Sequence, residues 1–198
     1  MRDDAEIALL EAAKTGDAQS VRRLRAALEK PIRRFVYRLI GPGNWDDIVQ
    51  DAFVAVYINL ERIEPPENLR PFLFRIVRNL CYDELRRRGR FEPLPPDEGA
   101  EIRSGVRPPP VDRRPAPDAQ VERLLLRSEL WSAIERLPEL QRQSLLLYGE
   151  EEMSYAQIAT ATGTDIGTVK SRLYYARRNL MRLLPPQTLA ALGVEKGD

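Results

Sequence analysis

The sequence predicts an all-α fold in two helical blocks. Three observations carry the prediction. Apolar residues recur at three- and four-residue spacing in both halves of the chain, a proline-dense stretch separates those halves, and strand-like alternation is negligible throughout. The separator runs from Pro93 to Pro117 and holds eight of the sixteen prolines, including Pro95-Pro96 and Pro108-Pro109-Pro110. Proline fixes φ and lacks an N–H, so the stretch forms neither helix nor internal strand. It also has few large apolar residues with which to build a core. The predicted organisation is a helical block over 1–90, a flexible Pro-rich linker over 91–118, a second helical block over 119–184 and a tail over 185–198.

The elements follow in order. Helices are expected over 4–15 and 18–40, the second bent near Pro31. Gly41-Pro42-Gly43 isolates the next helix, over 45–62, whose apolar positions 45, 48, 49, 52, 53, 56 and 60 form one continuous stripe. Asn44 is its expected N-cap, and Asp46 and Asp47 lie where the helix dipole favours anions. A loop with Pro65-Pro66 precedes a helix over 71–88. Beyond the linker, helices are expected over 119–136, 138–149, 155–162 and 166–184, with Pro138 in a first turn, Ser154 as an N-cap and Gly163 as the residue after a helix end.

Composition narrows the function. The 198 residues include one cysteine, Cys81, and no histidine, so a disulfide within the chain, imidazole-based zinc sites and histidine-dependent triads are excluded. The protein is expected not to be an enzyme in its own right, with no cofactor, no metal and no small-molecule substrate. Cys81 falls near the inward side of an apolar helix and reads as a buried structural thiol. No apolar run approaches the roughly 18 residues of a membrane helix, and the acidic, amphipathic start is unlike a secretory signal. A cytoplasmic location is expected. The net charge of +1 is unevenly spread: residues 1–90 carry net +3, 91–122 net −3 and 123–184 net +2.

The stretch from Ser154 to Leu180 has helix-turn-helix spacing. Ala159 is small where the first helix meets the second, Gly163 stands at the turn four positions on, and Val169 locks the second helix six positions later. Ile158, Ile166 and Leu173 complete the expected small core. Thr168, Lys170, Ser171, Arg172 and Tyr175 point away from the apolar stripe, and residues 166–184 hold five basic side chains and no acidic one. Such a helix suits base edges and phosphates in a major groove.

Two other faces invite partners. On the helix 45–62 the outer face carries Asp47, Gln50, Asp51, Val54 and Ile58, acids interleaved with aliphatics, which suits a protein contact. On the helix 71–88 a polar stripe holds Arg75, Arg78, Asn79, Tyr82 and Arg86, basic groups around an aromatic ring, which suits a nucleic-acid backbone with base stacking.

Four segments in this order, DDIVQDAF (46–53), FLFRIVRNLCYDELRRR (72–88), LPELQRQSLLL (137–147) and SYAQIATATGTDIGTVKSRL (154–173), resemble the extracytoplasmic-function, or group IV, sigma factors of bacterial RNA polymerase. The resemblance covers most of the chain outside the linker and tail. It implies a sigma domain 2-like first block whose 46–58 helix docks on the β′ clamp helices of core RNA polymerase through Asp47, Gln50, Asp51, Val54 and Ile58. Phe53, inward on the stripe, is read as packing. It implies −10 promoter DNA recognition by Arg75, Arg78, Asn79, Tyr82 and Arg86, with the loop 64–69. It further implies a domain 4-like second block that reads the −35 element through Thr168, Lys170, Ser171, Arg172 and Tyr175 and touches the β flap. An anti-sigma factor is an implied partner. The competing readings are a one-component regulator with a helical sensor and a sigma mimic that never engages a promoter.

Overall fold

The computed structural model describes residues 2–43, 45–89 and 119–193. The linker expected over 91–118 and Asn44 lie outside the described residues; the cap position of the third helix is Trp45, one residue later than expected, and it makes no side-chain cap bond. Nine helices are described: α1 (Arg2–Lys14), α2 (Ala18–Ile40), α3 (Asp46–Ile58), α4 (Leu69–Arg87), α5 (Ala119–Glu135), α6 (Glu139–Gly149), α7 (Tyr155–Thr162), α8 (Ile166–Leu183) and α9 (Pro186–Ala191). No strand occurs among the described residues, and none of their helices is long and apolar enough to cross a membrane.

Local chemistry accounts for the boundaries. Asp17 caps α2 by accepting from the backbone N–H groups of Gln19 and Ser20. The helix continues through Pro31, which is buried. The expected 45–62 helix instead ends at Ile58. The Asn59 side-chain amide donates to the Ala55 carbonyl at 2.8 Å, and the Asn59 N–H turns to the Val56 carbonyl at 3.1 Å. The chain thereby tightens into a 3-10 turn, Leu60–Arg62. After a second short turn, Pro66–Asn68, α4 starts at Leu69. Pro71 then sits in its first turn, where a missing N–H costs nothing.

The chain forms two compact units that do not follow chain order. Described residues up to 89 gather with 146–170, and those from 119 to 145 gather with 171–193. In the first unit, Leu28, Ile32, Phe35 and Leu39 of α2 join Val49 and Ala52 of α3 and Leu73, Phe74, Val77 and Cys81 of α4 in the buried core. Phe35 and Phe74 meet edge to face, 5.2 Å between centroids. Each such side chain contributes about 1.5–3 kcal/mol by leaving water. In the second unit, Ala133, Leu184 and Leu189 form a core flanked by Leu130, Leu180, Met181 and Leu183. Its α9, unforeseen in the sequence, is fastened by Leu189 and by a hydrogen bond from the Thr188 hydroxyl to Glu129.

A buried ionic network organises the first unit. The Arg70 guanidinium donates to both Glu6 oxygens, at 2.7 and 2.8 Å, and to Glu151 Oε2 at 3.0 Å. Its side chain is 5% exposed, and those of Glu6 and Glu151 are 7% and 1%. Burial works against the Arg70 charge, but the two carboxylates outweigh it and hold the guanidinium above its ordinary range. Glu151 also receives Arg34. Removing one member of a buried pair strands the other charge and costs about 3–5 kcal/mol. Arg70→Met should therefore lower the urea-unfolding midpoint of the full chain by that equivalent; a midpoint within about 1 kcal/mol of the wild type would show that the network does not hold the unit.

Candidate polymerase and nucleic-acid interfaces

The outer face of α3 is laid bare because its inner face is consumed by the core. Ile48, Val49, Ala52 and Val56 are buried, while Asp47, Gln50 and Asp51 are exposed. Val54 and Ile58 stand 49% and 72% exposed. Tyr57, absent from the sequence-predicted set, is 64% exposed beside them. Its signal was available in the spacing Gln50, Val54, Tyr57, three to four residues apart. Phe53 is half-buried with the Arg25 guanidinium 5.2 Å above its ring. Together with Val21, Leu24 and Leu28 of α2, Phe53, Val54 and Tyr57 line an apolar groove of about 280 Å³.

The stripe on α4 divides in two. Arg75, Asn79 and Arg86 are exposed, Arg86 paired with Asp83. Arg78 is half-buried and donates to the Ala161 carbonyl at 3.4 Å and to the Thr162 carbonyl. These are end carbonyls of α7, which lack helical partners and carry the negative end of the dipole. The Arg78 guanidinium also lies 5.3 Å from the centroid of Tyr82, which is only 8% exposed. The single solvated stripe expected from the sequence is corrected to this extent: in this conformation Tyr82 offers no open face for stacking. Periodicity placed Arg78 and Tyr82 on one polar side, but α7 packs against that side.

The helix-turn-helix is built as its spacing requires. Ser154 and Gln157 form a reciprocal capping box at the start of α7. Gly163 ends α7 with φ 68, and the N–H groups of Gly163 and Thr164 both reach the Ala159 carbonyl. Ala159 and Val169 are buried at 8% and 0% exposure. Asp165 opens α8, accepting from the Thr168 N–H at 2.9 Å and its hydroxyl at 2.6 Å. Thr168 is thus committed to the cap and half-buried, while Lys170 and Ser171 are exposed. The inward stripe of α8 differs from expectation. Its buried positions are Val169, Arg172, Ala176 and Asn179, with Asn179 bonded to Gln141 at 2.8 Å. Arg172, expected on the open face, is therefore only 9% exposed, and Ile166, expected in the core, is 44% exposed. Tyr175 is half-buried, and the neighbouring Tyr174 is 63% exposed. Arg172 lies three residues after Val169 and four before Ala176, so it shares their side of the helix.

Comparison with known proteins gives this geometry a family. Residues 24–91 match Sigma-70 region 2 and residues 127–180 match Sigma-70 region 4. The ECF RNA polymerase sigma factor EcfG of Rhodopseudomonas palustris is 32% identical over 154 residues, covering 77% of this chain and 78% of that protein. The chain belongs to the extracytoplasmic-function sigma factors. The ECF sigma-E factor of Escherichia coli K12 is 26% identical over 90% of this chain and 93% of its own length. A solved sigma factor, RpoE of Bartonella quintana in complex with the anti-sigma factor NepR, superposes with a TM-score of 0.57 at 28% identity, covering 82% of this chain and 94% of that one. The region 2 match in this sigma factor takes in all of α3 and α4, and the region 4 match takes in α6, α7 and most of α8. Helix α9 lies beyond both.

The cap of α8 has a pH signature. The Thr168 hydroxyl, followed by the Thr168 N–H, holds the Asp165 carboxyl below its ordinary value of 3.8. A carboxyl depressed in the folded state stabilises fully above its unfolded value and loses that contribution as pH falls through the folded one. Wild-type protein should therefore lose more thermal stability than Asp165→Asn between pH 6 and about pH 2.5. Parallel melting curves over that range would remove the carboxylate from the capping role.

Proposed function

We propose that this sigma factor carries core RNA polymerase on α3 and divides promoter recognition between α4 and α8. The observation that carries the reading is the outer face of α3. Val54, Tyr57 and Ile58 remain in water beside Asp47, Gln50 and Asp51 although the opposite face is packed to completion. Apolar side chains left exposed beside an apolar groove mark a surface kept for a protein partner, here the β′ clamp helices. Arg75, Asn79 and Arg86 stand ready for the −10 element, with Arg78 and Tyr82 joining once the side of α4 under α7 is free. Lys170 and Ser171 are the open groups of α8 for the −35 element. Residues 1–90 and 119–184 form the two functional domains in this reading, and 91–118 the tether between them. The second block also contacts the β flap.

The protein acts as a cytoplasmic specificity subunit and performs no catalysis itself. Control by an anti-sigma factor extends to this chain the pairing captured in the Bartonella quintana complex.

Charge reversal at Asp47 and Asp51 should weaken binding to core polymerase at least tenfold with an unchanged circular dichroism spectrum; wild-type affinity in that double variant would remove α3 as the docking helix. Transcription from a matrix of promoter variants tests the division of labour. Asn79→Ala should lose activity according to the −10 sequence, and Lys170→Ala according to the upstream one. Lys170 is the informative position on α8, because Arg172→Ala would also disturb a buried stripe. A defect of both variants on the same promoter positions would overturn the assignment, and a defect confined to Lys170 would favour a one-component regulator.

A further inference from the structure

A cleft of about 540 Å³ lies along α2, away from the α3 groove, and none of the sites above uses it. Lys30, Arg33, Arg34 and Arg38 project around it with Tyr37, which is 49% exposed. Trp45 also lines it. The indole Nε1 donates to the Gly41 carbonyl at 2.9 Å, and the Arg88 guanidinium lies 4.4 Å from a ring centroid of the indole. Gly43 permits the arrangement, because a Cβ there would fall 2.4 Å from the indole. Four cations thus meet two carboxylates of their own neighbourhood, Glu29 and Asp46, both paired with Arg33. The remaining positive charge is met from elsewhere in the unit. Glu150 reaches Arg34 at 2.8 Å and Arg38 at 3.9 Å, and Glu151 reaches Arg34 at 2.5 Å. The turn that delivers these two acids contains Glu152 at φ 56, a left-handed conformation rare outside glycine. One carboxylate between two guanidinia beside an exposed phenol ring is the arrangement a phosphodiester would adopt there.

We propose that this α2 cleft binds the phosphate backbone of DNA, and that Glu150, with Glu151, is its occupant in the free protein. The proposal rests on the sigma-factor reading only for DNA being at hand; the site recognises phosphate and not sequence. Lys30 and Arg38 supply charge, Arg34 a fork held in place by Glu151, and Tyr37 a surface for a sugar or base. DNA enters by displacing the Glu150 carboxylate, so the free protein binds DNA weakly while α6–α7 keeps its turn in the cleft.

The test uses the full chain without polymerase and a fluorescein-labelled 30-base-pair duplex of scrambled sequence, read by anisotropy from 50 to 200 mM salt. Glu150→Gln should bind at least threefold more tightly than the wild type. Its log–log salt slope should be steeper by about one, as one more phosphate is neutralised. Adding Arg38→Gln, or Lys30→Gln at an exposed position, should return the slope toward the wild-type value. An unchanged slope in a folded Glu150→Gln protein overturns the proposal, as does a steeper slope that survives both cleft substitutions. If Glu150→Gln disturbs folding, Lys30→Gln and Arg38→Gln in the wild-type background decide: together they should flatten the slope, and no change overturns the site. Poly-glutamate displacing the duplex from Glu150→Gln at equal charge concentration would assign the cleft to an acidic polypeptide and overturn DNA as its ligand. Promoter transcription separates this from the reading above. A steeper slope without promoter-specific transcription leaves the cleft standing and removes the sigma function, and transcription with an unchanged slope does the reverse.

Discussion

Arg70 is the residue on which the first unit turns. Its guanidinium lies nine-tenths or more buried and takes Glu6 from α1 on one side and Glu151 from the α6–α7 turn on the other. Charges this deep are tolerated only when their hydrogen-bonding capacity is filled. The fork geometry of arginine fills it with two carboxylates drawn from positions far apart in the chain. Residues 146–170 are thereby tied to the same unit as the described residues up to 89, and the placement of α7 against α4 accompanies that tie.

That tie has consequences for which side chains meet solvent. Along α4, Arg78 turns to the end carbonyls of α7 and Tyr82 is covered, whereas Asn79, one residue from Arg78, stays open. Along α2, Glu150 and Glu151 meet the guanidinia of Arg34 and Arg38. The outer face of α3 is untouched by any of this, and its acids and aliphatics remain exposed. One segment thus satisfies cations on two helices and leaves the third helix available. Most buried polar groups find a hydrogen-bonding partner, and the segment offers both carbonyls and carboxylates.

Much of this was legible in the sequence. The eight helices expected from periodicity are present, and the Ala159-Gly163-Val169 spacing folds into the helix-turn-helix it describes. The four segments that resemble the extracytoplasmic-function sigma factors fall within the matched Sigma-70 regions 2 and 4. Less legible was the rotation of α8. An amphipathic pattern leaves the borders of its stripe undetermined by about one residue, and Arg172 and Ile166 both stand on a border. Helix α9 was missed because six residues are too short to show a period.

What the sequence by itself determined is local: helix positions, the Ser154 cap, the turn at Gly163, and the interleaving of acids with aliphatics on α3. Each depends on residues within a few positions of one another, so adjacency in the chain is enough to specify it. The tertiary structure alone decided which acid meets which base. Glu150, Glu151 and Glu152 read identically as a charge run, yet the first lies between Arg34 and Arg38, the second is sealed against Arg70, and the third is exposed at φ 56. An ion pair needs two groups brought together across many residues. Only the packing of the helices sets that distance, and with it whether a charge is buried, paired or left in water.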